Sequence, residues 1–295
     1  MFKGVFTALV TPFRNNRIDE EALRNLIEDQ IAGGVSGIVP CGTTGESATL
    51  THDEHKKVIE ISLDCAKGRI PVIAGTGSNS TVETIELTKH ARDAGADAAL
   101  LITPYYNKPE QEGLYMHYKA VAEAVDLPLI LYNVPGRTAV NLLPQTVERL
   151  SRLGNIAGIK EATANMEQIS WLKRLCGENF SLLSGDDATV LPFMSIGGHG
   201  VISVLSNVAP GDMSALVHAC LEGDMDEARK LHYRLLPLAN VLFSETNPIP
   251  VKAALHLTGS ISDEIRLPLT SLSGEKLDEL STCLQELGLI QAATA

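Results

Sequence analysis

The chain has 295 residues, 44% of them hydrophobic, which is enough to bury a large core. Its formal net charge of −12, with a pI near 5.1, argues against a nucleic-acid surface or an anionic membrane as partner, since both repel an acidic protein, and leaves a small-molecule substrate as the better fit. The cysteines, Cys41, Cys65, Cys176, Cys220 and Cys283, are scattered, odd in number and without a CxxC pair, which excludes a disulfide framework or a zinc site from expectation and suits a reducing cytoplasm.

The opening run MFKGVFTALVTPF is broken by Thr7, Thr11 and Pro12 and has no small-residue cleavage site, so no signal peptide is read there. No stretch reaches the roughly 18 unbroken apolar residues of a membrane helix, and a soluble protein is expected. Apolar, β-rich runs that end in Gly, Pro, Ser or Thr predict strands over 4–13, 37–42, 71–77, 98–106, 128–135, 157–163, 180–187 and 200–207. Between them lie amphipathic helical patterns with start signals, such as Asp19 ahead of EEALRNLIEDQIA and a Thr51/Glu54 capping box ahead of HKKVIEISLDCA.

Runs that are apolar throughout belong to strands covered on both faces, the mark of a parallel sheet between helices. Eight strand-helix units spaced by roughly 20 to 35 residues fit a (β/α)8 TIM barrel. An open doubly wound sheet is the alternative, but no GxGxxG opens the first unit. Beyond residue 223 the strand signal stops, and helices are predicted over 225–243, 248–257 and 274–288, with NPIPV as a kinked entry to the second. The expected division is a catalytic barrel over 1–223 and a C-terminal helical domain over 224–295, packed on the barrel or on a partner chain.

In such a barrel the chemistry gathers at the carboxyl ends of the strands. Lys160 ends the apolar approach NIAGI, where desolvation disfavours an ammonium and leaves an amine able to attack a carbonyl; a structural lysine paired with Glu161 or Asp186 is the alternative. An imine formed there is an electron sink, the basis of aldolase chemistry. Tyr132 closes the preceding strand and falls beside Lys160 if both point inward; its phenol either moves protons, with Thr43 and Tyr106 on the same rim as a relay, or simply fills the barrel.

The loop CGTTGES either offers backbone N–H groups to a carboxylate or phosphate or is a plain tight turn, and Cys41 before it reads as a packing thiol rather than a nucleophile. Arg137 is a fork for a second carboxylate or an ordinary loop cation. Asp186 and Asp187 suggest helix capping more than a metal, and the His52/His55 pair lacks a third ligand, so no metal site is expected.

The segments GTTGES, PYYNKP, LYNVPGRT, GIKEAT, LLSGDD, GGHGVISV and NPIPVK, in this order over essentially the full length, resemble the dihydrodipicolinate synthase family. The resemblance implies condensation of pyruvate with L-aspartate 4-semialdehyde to give 4-hydroxy-tetrahydrodipicolinate, on the diaminopimelate route to lysine, by a (β/α)8 barrel with a C-terminal helical domain. It matches Lys160 to the Schiff-base lysine, Tyr132 to the general acid and base, and Thr43 and Tyr106 to the relay, Tyr106 serving the active site of a neighbouring subunit. Thr44 matches the holder of the pyruvate carboxylate, Arg137 that of the semialdehyde carboxylate, and Gly185 and Ile202 the lining of the pyruvate pocket.

Ser47, Ala48, His52, His55, Asn79, Glu83 and Tyr105 match an allosteric lysine site at a dimer interface, implying feedback inhibition. A homotetramer built as a dimer of tight dimers is also implied, with no organic or metal cofactor beyond the imine on Lys160. The rival within the superfamily is another pyruvate-dependent aldolase, such as N-acetylneuraminate lyase or a keto-deoxy sugar acid aldolase. The rival from another class is a non-catalytic amino-acid sensor using His52, His55 and Glu83 alone.

Overall fold

The computed structural model describes residues 1–291, in which eight parallel strands roll into a barrel. In chain order they are β1 (Gly4–Ala8), β2 (Gly37–Val39), β3 (Ile73–Gly75), β4 (Ala98–Ile102), β5 (Leu129–Asn133), β6 (Ile156–Glu161), β7 (Ser181–Ser184) and β8 (Gly200–Ser203). Each pairs with its sequence neighbour, β8 returns to β1, and β2 meets β3 through a parallel bridge between Ile38 and Val72. The Gly75 N–H donates to Pro40 O at 2.9 Å and extends that seam.

The strands are shorter than the predicted runs because their polar or proline ends leave the ladder to form the rim. The first run stops at Ala8, and Phe13–Arg14 instead pairs antiparallel with Arg17–Ile18 in a small hairpin. Its turn residues Asn15 and Asn16 both have positive φ, 54° and 58°, the geometry that Asn tolerates in a two-residue hairpin turn. Pro135, read as the end of the fifth strand, is the first residue of a one-turn helix.

The helices are α1 (Glu20–Ala32), α2 (His52–Ala66), α3 (Thr81–Ala94), α4 (Gln111–Ala124), α5 (Pro135–Thr138), α6 (Pro144–Ser151), α7 (Met166–Cys176), α8 (Val190–Ser195) and α9 (Pro210–Glu222). Asp19, Ser80 and Asn165 each accept a bond from the third residue beyond, and Thr51 with Glu54 forms the predicted capping box, so local sequence sets where α1, α2, α3 and α7 begin. Three further helices follow, α10 (Met225–Val241), α11 (Ile249–Leu257) and α12 (Glu275–Glu286), each a little shorter than predicted. Their buried residues, among them Leu235, Leu238, Val251, Leu255 and Leu284, share one apolar cluster with Leu9, Ile38 and Val201 of the barrel half. Positions 292–295 of the expected C-terminal domain lie outside the described residues. No described helix is long and apolar enough to cross a membrane.

Candidate active site

Strand pairing puts Tyr132 of β5 directly beside Lys160 of β6. Residues facing each other across a parallel pair point to the same side, so the two side chains leave the sheet together. The Lys160 Nζ lies 4.4 Å from the centroid of the Tyr132 ring, and the residues are 5% and 6% exposed. Gly185, just after β7, makes room for the lysine: a Cβ there would sit 3.0 Å from Lys160 Cε and 3.2 Å from its Cγ. Ile202 of β8 is buried, paired with Phe6 of β1.

The alternative of a lysine neutralised by Glu161 or Asp186 fails on geometry. Glu161 is the next strand residue and faces the helices, where its carboxylate accepts from the Thr163 N–H at 2.8 Å, Asn133 Nδ2 at 3.0 Å and Gln168 Nε2 at 3.2 Å. Burial pushes that carboxyl above its ordinary range, and these donors oppose the shift. Asp186 accepts from the N–H groups of Ala188 and Thr189 in the turn ahead of α8, so it shapes the approach to the helix without capping it, α8 having no side-chain cap. Asp187 also departs from the expected capping: its buried carboxylate holds the N–H groups of Val204 and Leu205 past the end of β8. Burial raises the Cys41 thiol, in keeping with a packing residue.

The loop after β2 turns on itself, the Gly45 N–H donating to Gly42 O and the Glu46 N–H to Thr43 O, both at 3.1 Å. The N–H groups of Thr43 and Thr44 have no partner among the described residues, which suits the anion-binding reading of this turn. Thr44 is buried and its hydroxyl accepts from Asn247 Nδ2 at 3.0 Å. Arg137, on α5, donates through Nη2 to the Asn247 carbonyl at 3.0 Å. Asn247 thus joins both expected carboxylate holders, a role that its place at the start of NPIPVK, a kinked helix entry and family-like segment, does not announce.

Thr43, Tyr132 and Arg137 line one cavity of about 530 Å³. Lys160 is not part of its wall, but its Nζ lies over the ring of Tyr132, which is. Ser47, Ala48, His52, His55, Glu83 and Tyr105 line the same cavity, so the expected catalytic and effector residues share a continuous space. Ser78 Oγ donates to one oxygen of Glu83 and His52 Nε2 pairs with the other, Oε1, at 2.7 Å; the Ser78 bond first, then His52, holds the Glu83 carboxyl below its usual range. His55 is buried, bonds Gly75 O through Nε2 at 2.8 Å, and is pushed down to about 4 by burial. Its Nδ1 has no partner among the described residues.

Like Lys160, the expected residues Thr44, Gly185, Ile202, Asn79 and Tyr106 are not part of the cavity wall. The Asn79 carbonyl accepts from Asn107 Nδ2 at 2.9 Å. Tyr106 is 89% exposed on a backbone with φ of 70°, so within one chain it does not join Tyr132. Among the described residues no group of three or more His, Cys, Asp or Glu is placed to hold a metal ion.

This arrangement defines a class: a (β/α)8 barrel with an amine and a phenol side by side at its carboxyl rim and unpartnered backbone donors in the loop after β2. Known proteins narrow it. The model of the dihydrodipicolinate synthetase family matches residues 1–287. The 4-hydroxy-tetrahydrodipicolinate synthase of Syntrophus aciditrophicus is 58% identical over 290 residues, covering 98% of this chain and all of that one. The crystal structure of dihydrodipicolinate synthase from Aquifex aeolicus superposes with a TM-score of 0.97 at 50% identity, over 99% of this chain and 100% of that one. That of the enzyme from Cyanidioschyzon merolae with lysine bound gives 0.96 at 40% identity, over 98% and 99%. The chain belongs to the dihydrodipicolinate synthetase family of enzymes.

Proposed function

We propose that this enzyme condenses pyruvate with L-aspartate 4-semialdehyde to give 4-hydroxy-tetrahydrodipicolinate, a lyase-class step of lysine biosynthesis that runs through an imine on Lys160. The observation that carries the reading is the buried amine of Lys160 against the Tyr132 ring, on facing positions of adjacent strands. Lys160 Nζ attacks C2 of pyruvate, and the carbinolamine loses its oxygen as water to leave the imine. Loss of a proton from C3 gives an enamine whose C3 attacks the aldehyde carbon, and the alkoxide takes up a proton. The acceptor's own amine then attacks the imine carbon, closing a six-membered ring and freeing Lys160.

Tyr132 is the group placed to carry these protons, with Thr43 on the same cavity wall as its relay. The unpartnered N–H groups of Thr43 and Thr44 suit the pyruvate carboxylate, and the Arg137 guanidinium suits that of the semialdehyde. Gly185 and Ile202 shape the pocket around the amine. The imine itself serves as electron sink, so the chemistry requires no separate cofactor.

The exposure of Tyr106 supports a relay completed by the tyrosine of a second copy, within a dimer of tight dimers. Lysine is the proposed effector, seated among Ser47, Ala48, His52, His55, Asn79, Glu83 and Tyr105. The carboxylate of Glu83 and the open Nδ1 of His55 favour a cationic ligand with hydrogen-bond donors. The cysteines Cys41, Cys65, Cys176, Cys220 and Cys283 are all free, which suits a cytoplasmic enzyme, and a division into a catalytic barrel over 1–223 with a helical domain after it is the proposed organisation.

Borohydride reduction with pyruvate should add the mass of a reduced pyruvyl adduct at Lys160; no gain there overturns the imine. A coupled assay offering pyruvate with either aspartate semialdehyde or N-acetylmannosamine tests the acceptor, and turnover with the sugar alone would transfer the chain to the sugar-acid aldolases. Activity that stays flat in millimolar lysine removes the effector.

A further inference from the structure

The barrel-rim loop is gripped from outside by a buried ion pair for which the chemistry above has no use. Glu46, two residues past Thr44, has left-handed backbone with φ of 55° and ψ of 36°. A non-glycine residue there is strained and persists only where its surroundings hold it. Its Oε1 accepts from Lys252 Nζ of α11 at 2.6 Å, and both side chains are 2% exposed. Its Oε2 accepts from the Arg266 N–H at 3.1 Å. Lys252 also donates to Thr11 O at 3.1 Å and lies 4.4 Å over the Phe13 ring.

A buried pair of this kind gives little net stability over an apolar pair of similar shape, because desolvation offsets the attraction, so its presence calls for another reason. Its position supplies one. Asn247 bonds Thr44, the Thr11 hydroxyl donates to Gly45 O at 2.7 Å, and Lys252 holds Glu46, so three successive loop residues are each fixed by a group outside the loop. The restrained stretch directly follows Thr43 and fixes the direction of the two N–H groups that have no partner.

We propose that Lys252 is a positioning residue of the active site, holding Glu46 and through it the Thr43–Thr44 backbone in the orientation that receives the substrate carboxylate. The proposal rests on the pyruvate reading above. Because the loop binds the carboxylate alike before and during reaction, losing the restraint should raise KM for pyruvate more than it lowers kcat.

The test compares the full-length enzyme with Lys252→Met and with the double variant Glu46→Gln/Lys252→Met, measuring Tm, pyruvate KM and kcat, and borohydride trapping at Lys160. Lys252→Met leaves Glu46 buried and unpaired, so its Tm should fall; the double variant should regain most of that loss. Pyruvate KM should stay at least tenfold above wild type in the double variant, with kcat changed less than threefold. If Lys252→Met does not fold, the double variant carries the test alone. A double variant that recovers both Tm and KM makes the pair structural and overturns the proposal, as does an unchanged KM in a folded Lys252→Met. No pyruvate adduct in the wild type overturns the imine reading and this proposal together, whereas an adduct with unchanged KM in the variants overturns the positioning role alone.

Discussion

Gly185→Ala isolates the space that Lys160 needs. A Cβ at position 185 would lie 2.7 Å from Ala162 Cβ, 3.0 Å from Lys160 Cε and 3.2 Å from Lys160 Cγ. Carbon atoms settle at about 3.5 to 4.0 Å, so the lysine stem must retreat by about half an ångström or more. Overpacking of this size costs about 1–3 kcal/mol, read as a Tm lower by a few degrees. Misplacing a reacting group by 1 Å costs about a hundredfold, so a half-ångström displacement of the amine should slow imine formation about tenfold.

Borohydride trapping against time, with pyruvate in excess, measures that rate while differential scanning fluorimetry follows Tm. Adding Ala162→Gly should relieve the contact with Ala162 but not those with the lysine. The double variant should therefore recover stability while trapping stays slow. Wild-type trapping in Gly185→Ala would refute the claim that Gly185 is there for Lys160.

Tyr132→Phe keeps a ring over Lys160 but removes the hydroxyl; turnover should fall about 10²- to 10⁴-fold while borohydride still traps an adduct, and near-normal turnover would take proton transfer away from Tyr132. Glu161→Gln sets an amide N–H₂ against either the Thr163 N–H or the Asn133 and Gln168 amides, costing about 1–3 kcal/mol in denaturant unfolding with the trapping rate within about threefold of wild type; a far larger loss of trapping would give Glu161 a part in the chemistry. His55 takes its proton near 6.5 when unfolded but only at about 4 in the fold, so its contribution is complete above pH 6.5 and is lost as pH falls through that window. The loss amounts to roughly 3 kcal/mol from this group, and buried His117, also pushed down to about 4, adds in the same direction. His55→Gln should flatten part of the decline in Tm between pH 6.5 and 4, and an unaltered slope would show that His55 already carries its proton in the fold.

The eight barrel strands are legible because each is buried on both faces and so reads as an unbroken apolar run, as LILYN of β5 does. Their lengths are not, since the same run continues into rim residues such as Thr11 that leave the ladder. The pair of asparagines in RNNR carried a hairpin signal that the long first run concealed. Strand order alone brings Tyr132 beside Lys160, because consecutive strands of a parallel barrel are neighbours. Nothing local announces the bond of Lys252 to Glu46 across 206 positions, or that Asn247 joins Thr44 to Arg137, since the docking of α11 on the rim is decided by packing between distant segments.

Residues 43–55 carry both halves of the shared cavity, Thr43 at one end and Ser47, Ala48, His52 and His55 further along. The segment is anchored twice by distant residues: Lys252 on Glu46, and Arg266 on Glu54, whose carboxyl the guanidinium holds down at about 2. Between those anchors the chain makes a short 3-10 turn, Ser47–Thr49. A cationic ligand bound at Glu83 and His55 would bear on this same segment, and would reach the N–H groups of Thr43 and Thr44 only by displacing the Lys252–Glu46 anchor. If lysine binds there and weakens pyruvate binding, linkage makes the effect reciprocal: pyruvate held on those groups should weaken lysine binding by the same factor.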